Sequence, residues 1–404
     1  MKNLKRIFSL ALAGTMLAGM LTIGASAADF TDADDINNVE AVDTMVALNI
    51  INGKDDGSFD PDATVTRAEM AKMITIMLNG GSEPALTASA NNAKFTDIGG
   101  HWAQKYIEYC VSQGVINGKG DGTFAPDATV TGTEAAKMAL TALGYNSDVF
   151  EFTGIDWEIH VNAAANAPSA NLYEGLRTID PSKGLSRDNA ARMLYNALDA
   201  KVVEITYNIT SNGVETGYVI SDSKTMMTER FGAVKVEGVV MANEIASIRD
   251  GNNAAVKEGK TVIESNATEG DWKGTITVNA TTDLDMIGRT VSVYVKQNSK
   301  KTDANVIGNV VLSDTNAVYV STDDTAFDKI EDGVKTDSKV TKYFDNYTSK
   351  TAAEIAPTAG KTTILVDNNG DDTVDYVFSV TYTVAQVKKV VEKGKKIQFN
   401  GGVG

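Results

Sequence analysis

Two patterns of apolar residues divide the chain. In the N-terminal part they recur at helical spacing, as at Ala103, Ile107, Cys110 and Val111, which occupy positions i, i+4, i+7 and i+8 and form one stripe along a helix. Beyond about residue 200, apolar and polar residues alternate in short runs rich in Val and Thr, a pattern typical of β-strands. The chain is therefore predicted to be multidomain, with an all-α N-terminal domain followed by a β-rich region.

The helical part is built from an internal repeat. Residues 51–66 return as residues 116–131, with a constant offset of 65 positions. A weaker third copy lies 120 positions from the first and carries Arg67 onto Arg187. The three tandem units cover about residues 28–80, 93–146 and 153–200.

Each unit is predicted to be a helix, a loop and a second helix. The second helix begins at a capping box in two units, formed by Thr66 with Glu69 and by Thr131 with Glu134, and Ser186 takes the cap position in the third. A lone helix pair cannot bury its apolar stripe. We therefore expect the three units to share one core across residues 28–200.

The β-rich region is predicted to form an all-β module at 201–320 and a second β-rich module at 321–404, each a small barrel or sandwich. Predicted strands cover residues 202–210, 217–220, 234–241, 260–263, 274–278, 290–295, 306–312, 318–320, 362–366 and 376–384, followed by a hairpin at 388–399. The chain stops just after that hairpin, so we expect the second module to be truncated and the chain to be a fragment of a longer surface protein.

The first 27 residues have the form of a secretory signal. Lys2, Lys5 and Arg6 precede an uncharged apolar run over residues 7–23, and Ala25-Ser26-Ala27 makes a small-x-small cleavage site. The alternative, a membrane anchor, is disfavoured because the run is short and interrupted by Gly and Thr. We expect a secreted protein with no membrane span after cleavage.

Charge and composition exclude several functions. The formal net charge is −16, and loss of the signal would remove three cations, which argues against nucleic acid as a partner. One cysteine permits no internal disulfide, and two histidines offer little for zinc binding or His-based acid–base chemistry. Cys110 replaces Met45 under the repeat offset and is predicted to be a buried thiol. We therefore predict a protein that is not an enzyme.

The repeated motifs resemble the S-layer homology (SLH) domain. They are Phe-Thr-Asp at 30–32 and 95–97, Gly-Val-Ile-Asn-Gly at 114–118, Asp-Gly-Thr-Phe at 121–124 and Thr-Arg-Ala-Glu at 66–69. The resemblance implies a compact pseudo-threefold helical domain that binds a secondary cell-wall polymer, commonly a pyruvylated amino sugar. It also implies a surface or S-layer protein of a Gram-positive-type, clostridial bacterium, located at the cell wall.

The resemblance places polymer contacts at the Arg of the Thr-Arg-Ala-Glu motif, here Arg67 and Arg187. In the first helical turn, free backbone amides and the helix dipole would favour an anion, and a guanidinium can grip a carboxylate in two bonds. The alternative is that each Arg only pairs with a neighbouring acidic loop. Gly132 stands at this position in the second unit, so we expect one or two working grooves rather than three.

The predicted polymer site takes in further repeated residues. They are Asp32 and Asp97 of the Phe-Thr-Asp motif, Lys72 and Lys137 two turns into the capped helices, and Trp102 and Trp157. The two Trp rings could stack on a sugar, although packing between repeats explains them equally well. Lys72 and Lys137, with Arg192 in the third unit, could also be a solvated helix face.

One acidic segment is a candidate calcium loop. Asp367, Asn369, Asp371 and Asp375 match the early ligand spacing of an EF-hand-type loop. The match fails at position six, which is Asp372 instead of Gly, and at position twelve, which is not Glu. A plain acidic hairpin turn is the favoured alternative, and no other cofactor is expected.

These observations predict non-covalent anchoring of an exported surface protein to the cell wall through an acidic polymer. The β region would project, self-assemble or adhere; the alternatives are a wall-anchored adhesin for glycans and a wall-anchored glycoside hydrolase. Residues 28–200 hold 25 acidic and 11 basic residues, so the predicted anchor is itself anionic. Long-range attraction cannot drive anion binding here, which must depend on a few pocketed cations.

Overall fold

The computed structural model describes residues 30–85, 93–176, 179–210, 213–250, 254–382, 387–391 and 396–399 of the 404-residue chain. Within these ranges helices come first and strands follow, which confirms the predicted order. The predicted signal at 1–27 and the hairpin turn at 211–212 lie outside the described residues. No described helix is long and apolar enough to cross a membrane.

Three helix–loop–helix units form the N-terminal part, as the repeat predicts. The cap hydroxyls of Thr66, Thr131 and Ser186 each accept the amide of the residue three positions on, and the first two complete a capping box. The helices are α1 (Val39–Ala47), α2 (Arg67–Leu78), α3 (Gln104–Ser112), α4 (Gly132–Ala142), α5 (Trp157–Asn166) and α6 (Arg187–Asp199).

A ring of backbone hydrogen bonds joins the three units at their centre. The Val65 amide donates to the Leu185 carbonyl at 2.9 Å, the Leu185 amide to the Val130 carbonyl at 3.0 Å, and the Val130 amide to the Val65 carbonyl at 2.9 Å. Each residue belongs to a different unit, so the ring closes a pseudo-threefold arrangement. Apolar side chains of all three units pack into one cluster around it, which is the shared core predicted from the sequence.

Each second helix packs against the first helix of the next unit. This gives three equivalent surfaces, which we call the first face (α2 with α3), the second face (α4 with α5) and the third face (α6 with α1). The second helix of each pair carries the repeated basic residue, Lys72, Lys137 or Arg192. The faces are therefore directly comparable, position by position.

Most strands of the β region overlap the predicted runs, with shifts of a few residues at their ends; the short strands at 335–336, 342–345, 348–350 and 373–374 lie outside those runs. The strands are β1 (Lys201–Thr210), β2 (Gly213–Thr225), β3 (Ala233–Ala242), β4 (Thr261–Ser265), β5 (Gly274–Val278), β6 (Thr290–Lys296), β7 (Val306–Leu312), β8 (Ala317–Ser321), β9 (Lys335–Thr336), β10 (Lys342–Asp345), β11 (Thr348–Lys350), β12 (Thr362–Asp367), β13 (Thr373–Val374), β14 (Tyr376–Val380), β15 (Val387–Val391) and β16 (Lys396–Phe399). β1 with β2 and β15 with β16 are antiparallel hairpins, as predicted.

The two larger sheets have five strands each. Their strand orders are β5-β4-β3-β6-β7 and β11-β10-β14-β12-β8. Val236 and Val291 of the first sheet share one hydrophobic cluster with Phe344 and Phe378 of the second, so the sheets pack together. Over the described residues neither sheet closes into a barrel, and neither predicted module forms a sandwich by itself.

One strand differs from its predicted module. β8, placed in the module at 201–320, pairs with β12, so the second sheet begins before residue 321. The alternating pattern of β8 shows only that one face is buried. Its pairing partner, which lies far along the chain, cannot be read from that pattern.

The helical core continues into the β region. Met226, Phe231 and Tyr294 are buried in the same cluster as the helix residues, and α1 lies against β7. Because the two parts bury apolar side chains together, the β region is packed on the repeats. The surface they share includes the third face.

Candidate functional site

Arg67 begins α2, as predicted, but its guanidinium group points into the loop of the next unit. Its Nε donates to the Phe124 carbonyl at 2.8 Å, and its Nη1 lies 3.0 Å from a Glu134 oxygen. The group also lies 4.6 Å from the Phe124 ring centroid, and the residue is only 7% exposed. These contacts are those of the alternative, an Arg that pairs with its neighbouring loop.

Arg187 repeats this arrangement at the start of α6. Its Nε donates to the Phe59 carbonyl at 2.8 Å and its Nη2 to the Asn52 carbonyl at 3.0 Å. Burial lowers the pKa of Arg187, and the carboxylates of Glu69 and Asp60 counter that effect in part. Both arginines therefore fasten one unit to the next.

The free amides expected at these helix starts are not free. The Arg67 amide donates to the Ala128 carbonyl at 2.9 Å and the Arg187 amide to the Ala63 carbonyl at 2.8 Å. The following residue is paired in the same way in each helix. The helix-start part of the predicted anion site is therefore wrong: the neighbouring unit already satisfies the amides that an anion would need.

Gly132 fills the equivalent position in the second unit. A Cβ atom there would lie 3.1 Å from Ile179 Cδ1 and 3.1 Å from Pro181 Cα. The Gly132 amide donates to the Lys183 carbonyl at 3.0 Å, which preserves the backbone contact. The second unit keeps the pseudo-threefold contact but has no cation in it.

Asp32 and Asp97 hold the loops of their own units. The Asp32 carboxylate accepts the amides of Phe59 and Asp60 at 2.8 and 2.7 Å, and Asp97 accepts the two equivalent amides of the second unit. Burial raises the pKa of Asp32, but the amide donors outweigh it and the pKa is lowered overall. These oxygens are engaged in loop closure.

The repeated basic residues lie over aromatic rings. The Lys72 ammonium is 5.9 Å from the Tyr106 ring centroid, and the Lys137 ammonium is 4.7 Å from that of Trp157. Lys137 also donates to the Phe152 carbonyl, and burial lowers its pKa. The cation of the second face is therefore already engaged, by a ring of the third unit and by a carbonyl between the two units.

The two predicted Trp residues differ in exposure. Trp102, on the first face, is 52% exposed and contacts His101 and Tyr106 by ring edges. Trp157 is half-buried and packed against the core beneath Lys137. Trp102 is thus open to a stacking ligand, and Trp157 has the packing role.

The first face also holds a carboxylate that no sequence motif marks. Glu83, in the segment after α2, accepts the Lys105 ammonium at 2.6 Å and the Tyr106 hydroxyl at the same oxygen. These hydrogen bonds lower the pKa of Glu83, and Lys72 adds to the effect. A signal was present at Lys105, since the repeat aligns it with an acidic residue, Glu40, in the first unit.

The candidate calcium loop is an acidic hairpin turn. Asp367 is fully buried and accepts the amides of Asn369, Gly370 and Asp372 at 2.7 to 3.2 Å. The other predicted ligands are engaged in the same way: Asn369 accepts the Asp371 amide, Asp371 the Thr373 amide and Asp375 the Asn368 amide. Among the described residues no group of three or more His, Cys, Asp or Glu is arranged to hold a metal ion. These hydrogen bonds are those of a hairpin turn, and calcium binding stays a prediction.

Cys110 is the buried core thiol that the repeat predicts. It is fully buried, and burial raises its pKa to about 12. Its sulfur contacts the Thr75 hydroxyl at 3.3 Å and the Ala71 carbonyl at 3.4 Å.

The repeated part of the chain is similar to a known family of domains. The S-layer homology domain matches residues 29–71 and 94–136, which lie in the first two units. The relatives include surface-layer and cell-surface proteins of Gram-positive bacteria, which indicate a location at the cell wall or S-layer surface, and also an exoglucanase and a cell wall amidase.

Three relatives illustrate the match. A "Cell surface protein" of Thermoanaerobacter kivui is 31% identical over 207 residues, which is 50% of this chain and 26% of the relative. A "Cellulosome-anchoring protein" of Acetivibrio thermocellus is 36% identical over 120 residues, 28% of this chain and 26% of the relative. A "Surface layer protein" of Brevibacillus choshinensis is 24% identical over 461 residues, 98% of this chain and 39% of the relative. The chain thus spans less than half the length of each, and together these matches support cell-wall anchoring of a surface protein.

Proposed function

We propose that the repeats anchor this protein non-covalently to the cell wall by binding an acidic secondary polymer at the first face. The observation that carries the proposal is Glu83. Its carboxylate sits between the Lys105 ammonium at 2.6 Å and the Tyr106 hydroxyl, with Lys72 close enough to lower its pKa. This face therefore has the donors that a carboxylate needs, and a pyruvyl carboxylate on a sugar would use the same ones.

The exposed Trp102 ring beside this cluster supplies an apolar surface for a sugar ring. Cation and aromatic surface together favour a carboxylated saccharide over a simple anion. Arg67, Asp32 and Asp97 then act by holding the loops that frame the face. The second face is the weaker candidate, because Lys137 is bound to a carbonyl and Trp157 is half-buried.

The anionic character of the repeats limits the mode of binding. Their 25 acidic and 11 basic residues repel a polyanion at long range. Binding must then come from short-range contacts at one face, with displacement of Glu83 as its first step. We further propose that the protein is not an enzyme and that its β region projects from, or assembles on, the wall.

The test is sedimentation of the full chain with purified cell walls, before and after chemical removal of their secondary polymer. Binding that is lost on removal supports the proposal. Equal binding to stripped peptidoglycan contradicts it, and release of soluble glycan during the incubation would favour the hydrolase alternative. A Lys72→Ala variant should sediment less, whereas a Lys94→Ala variant, which removes an exposed cation outside the three faces, should sediment like the wild type.

A further inference from the structure

The third face differs from the other two because another part of the chain lies on it. The Glu40 carboxylate of α1 accepts the Ser292 hydroxyl of β6 at 2.6 Å and the Tyr195 hydroxyl of α6 at 2.5 Å. The Lys235 ammonium of β3 lies 3.6 Å from the same carboxylate and also donates to Tyr195. Two helices of different units are thus joined to the first sheet through one buried carboxylate.

A second contact involves the repeated basic residue. Arg192 is the counterpart of Lys72 and Lys137, and its Nη1 lies 3.9 Å from the Asp314 carboxylate, in the loop after β7. Asp314 is held there by its neighbour Glu40: the Asp314 amide donates to Glu40 at 3.2 Å, and the Glu40 amide donates to Asp314 at 3.4 Å. A carboxylate of the β region therefore stands beside the basic residue of this face.

The repeat offers a direct comparison of the three faces. The repeat places Lys105 of the first face and His160 of the second face at the position equivalent to Glu40 of the third. The side chain of Glu40 is 7% exposed, whereas those of Lys105 and His160 are 33% and 40% exposed. The same position is covered by the β region in one unit and open in the other two.

We infer that the β region is the built-in occupant of the third face, and that Asp314 stands beside Arg192 where an anionic ligand would otherwise bind. The statement about the ligand rests on the proposed function. The covering of the third face by the β region, which we call the closure, does not. The first face carries its own carboxylate, Glu83, whose side chain is about as exposed as that of Asp314, but Glu83 comes from a segment between units. On the third face the carboxylate comes from a packed sheet, so displacing it would require separating that sheet's loop from α1.

The closure has support beyond the ion pair. Tyr294 of β6 is buried in the helical core and α1 lies against β7, so apolar packing also holds the sheet against the helices. Lys235 is further paired with Glu237 at 2.6 Å, which fixes its ammonium beside Glu40. The third face is therefore removed from polymer binding, although it has both Arg187 and Arg192.

The first test measures closure without any polymer. In the full chain, the rate at which phenylglyoxal modifies Arg192 is followed by peptide mass spectrometry in the wild type, in Asp314→Ala and in Asp250→Ala. Asp250 is the matched control because it makes a 3.8 Å ion pair with Lys342 inside the β region. We expect Arg192 to react about threefold faster or more in Asp314→Ala, because the carboxylate that lies against its guanidinium group is gone, and to be unchanged in Asp250→Ala. Equal rates in all three proteins would overturn the inference; Asp314→Asn, which keeps the side-chain shape, replaces Asp314→Ala if the latter unfolds.

The second test measures the consequence for binding. Calorimetric titration of the full chain with purified secondary polymer should show an additional, weaker site in Asp314→Ala that disappears in the double variant with Arg192→Ala. An unchanged number of sites in Asp314→Ala contradicts the ligand part of the inference. If the wild type binds no polymer at all, the proposed function fails, and the phenylglyoxal rates still decide whether the face is closed.

Discussion

The first and third faces are built from equivalent pairs of helices, yet the first is open and the third is covered by a sheet. At one repeated position the first face has Lys105, which binds a carboxylate from the segment between units, and the third has Glu40, which binds Lys235 of the β region. On the first face the helix supplies the cation and the covering segment the carboxylate, whereas on the third face the helix supplies the carboxylate and the β region the cation. A single repeated fold can therefore present a surface for a ligand in one copy and a joint for another domain in the next.

The largest effect is expected when the joint loses its cation. Lys235→Met leaves the buried Glu40 carboxylate without a counter-charge and should lower the free energy of unfolding by about 3 kcal/mol. Lys224→Met is the matched control, because it breaks an exposed 2.6 Å pair with Glu204 and should leave the free energy of unfolding nearly unchanged. Urea denaturation measures both, and equal losses would mean that the third face is not a joint.

Replacing the two arginines that join neighbouring units should further distinguish the first face from the third. Arg67→Ala and Arg187→Ala each leave a buried carbonyl without its donor and should each destabilise by about 2 kcal/mol. Only Arg67→Ala should also weaken binding to the wall, because it loosens the first face, while Arg187 belongs to the face already closed. Denaturation and wall sedimentation of the same proteins provide the two readouts. Loss of wall binding in Arg187→Ala alone would reverse the assignment of the faces.

A smaller effect is expected from pH at the third face. Burial and the nearby Glu40 raise the pKa of Asp314 to about 6, Arg192 acts in the opposite direction, and Asp43 adds to the repulsion. Because the folded-state pKa lies above the ordinary value of 3.8, the stability from this group is complete below about pH 3.8 and is lost as pH rises through about 6.

Since the Asp314 side chain is 43% exposed, the loss between pH 5 and pH 7 should be about 1 kcal/mol at most. The unfolding free energy of Asp314→Asn should change less over this interval than that of the wild type. An identical pH dependence in the two proteins would show that Asp314 does not titrate at this joint.

The smallest effect concerns the resident carboxylate of the first face. Glu83→Gln removes the charge that an incoming polymer must displace, so affinity for purified polymer should rise by about two- to fivefold. Asp148→Asn, an exposed acidic residue in the segment after the second unit, should leave the affinity unchanged. A weaker Glu83→Gln complex would mean that Glu83 orders the face for the ligand instead of competing with it.

The parts of the fold that sequence predicted are those set by local chemistry. Thr66, Thr131 and Ser186 cap helices because a hydroxyl three residues before a free amide satisfies it, whatever the tertiary contacts. The burial of Cys110 followed from its alignment with Met45, a residue that is also buried. Strands were predicted correctly where apolar and polar residues alternate clearly, but the pattern did not predict which strands pair with each other.

The candidate site was less predictable because its contacts join distant parts of the chain. The amides at Arg67 and Arg187 are satisfied by loops of other units, and no local rule reveals that. Glu40 meets Ser292 across more than half the chain, and its importance is visible only when the β region is in place. Residue types at repeated positions indicated where charge would matter but not which partner would neutralise it.

The central claim, that only the first face binds the polymer, is tested most directly with one variant per face. Full-length Lys72→Ala, Lys137→Ala and Arg192→Ala remove the same repeated cation from the first, second and third faces, and each is titrated with purified secondary polymer. The account predicts that Lys72→Ala loses about tenfold in affinity and that the other two bind as the wild type does. Wild-type affinity in Lys72→Ala, or an equal loss in all three variants, would contradict it.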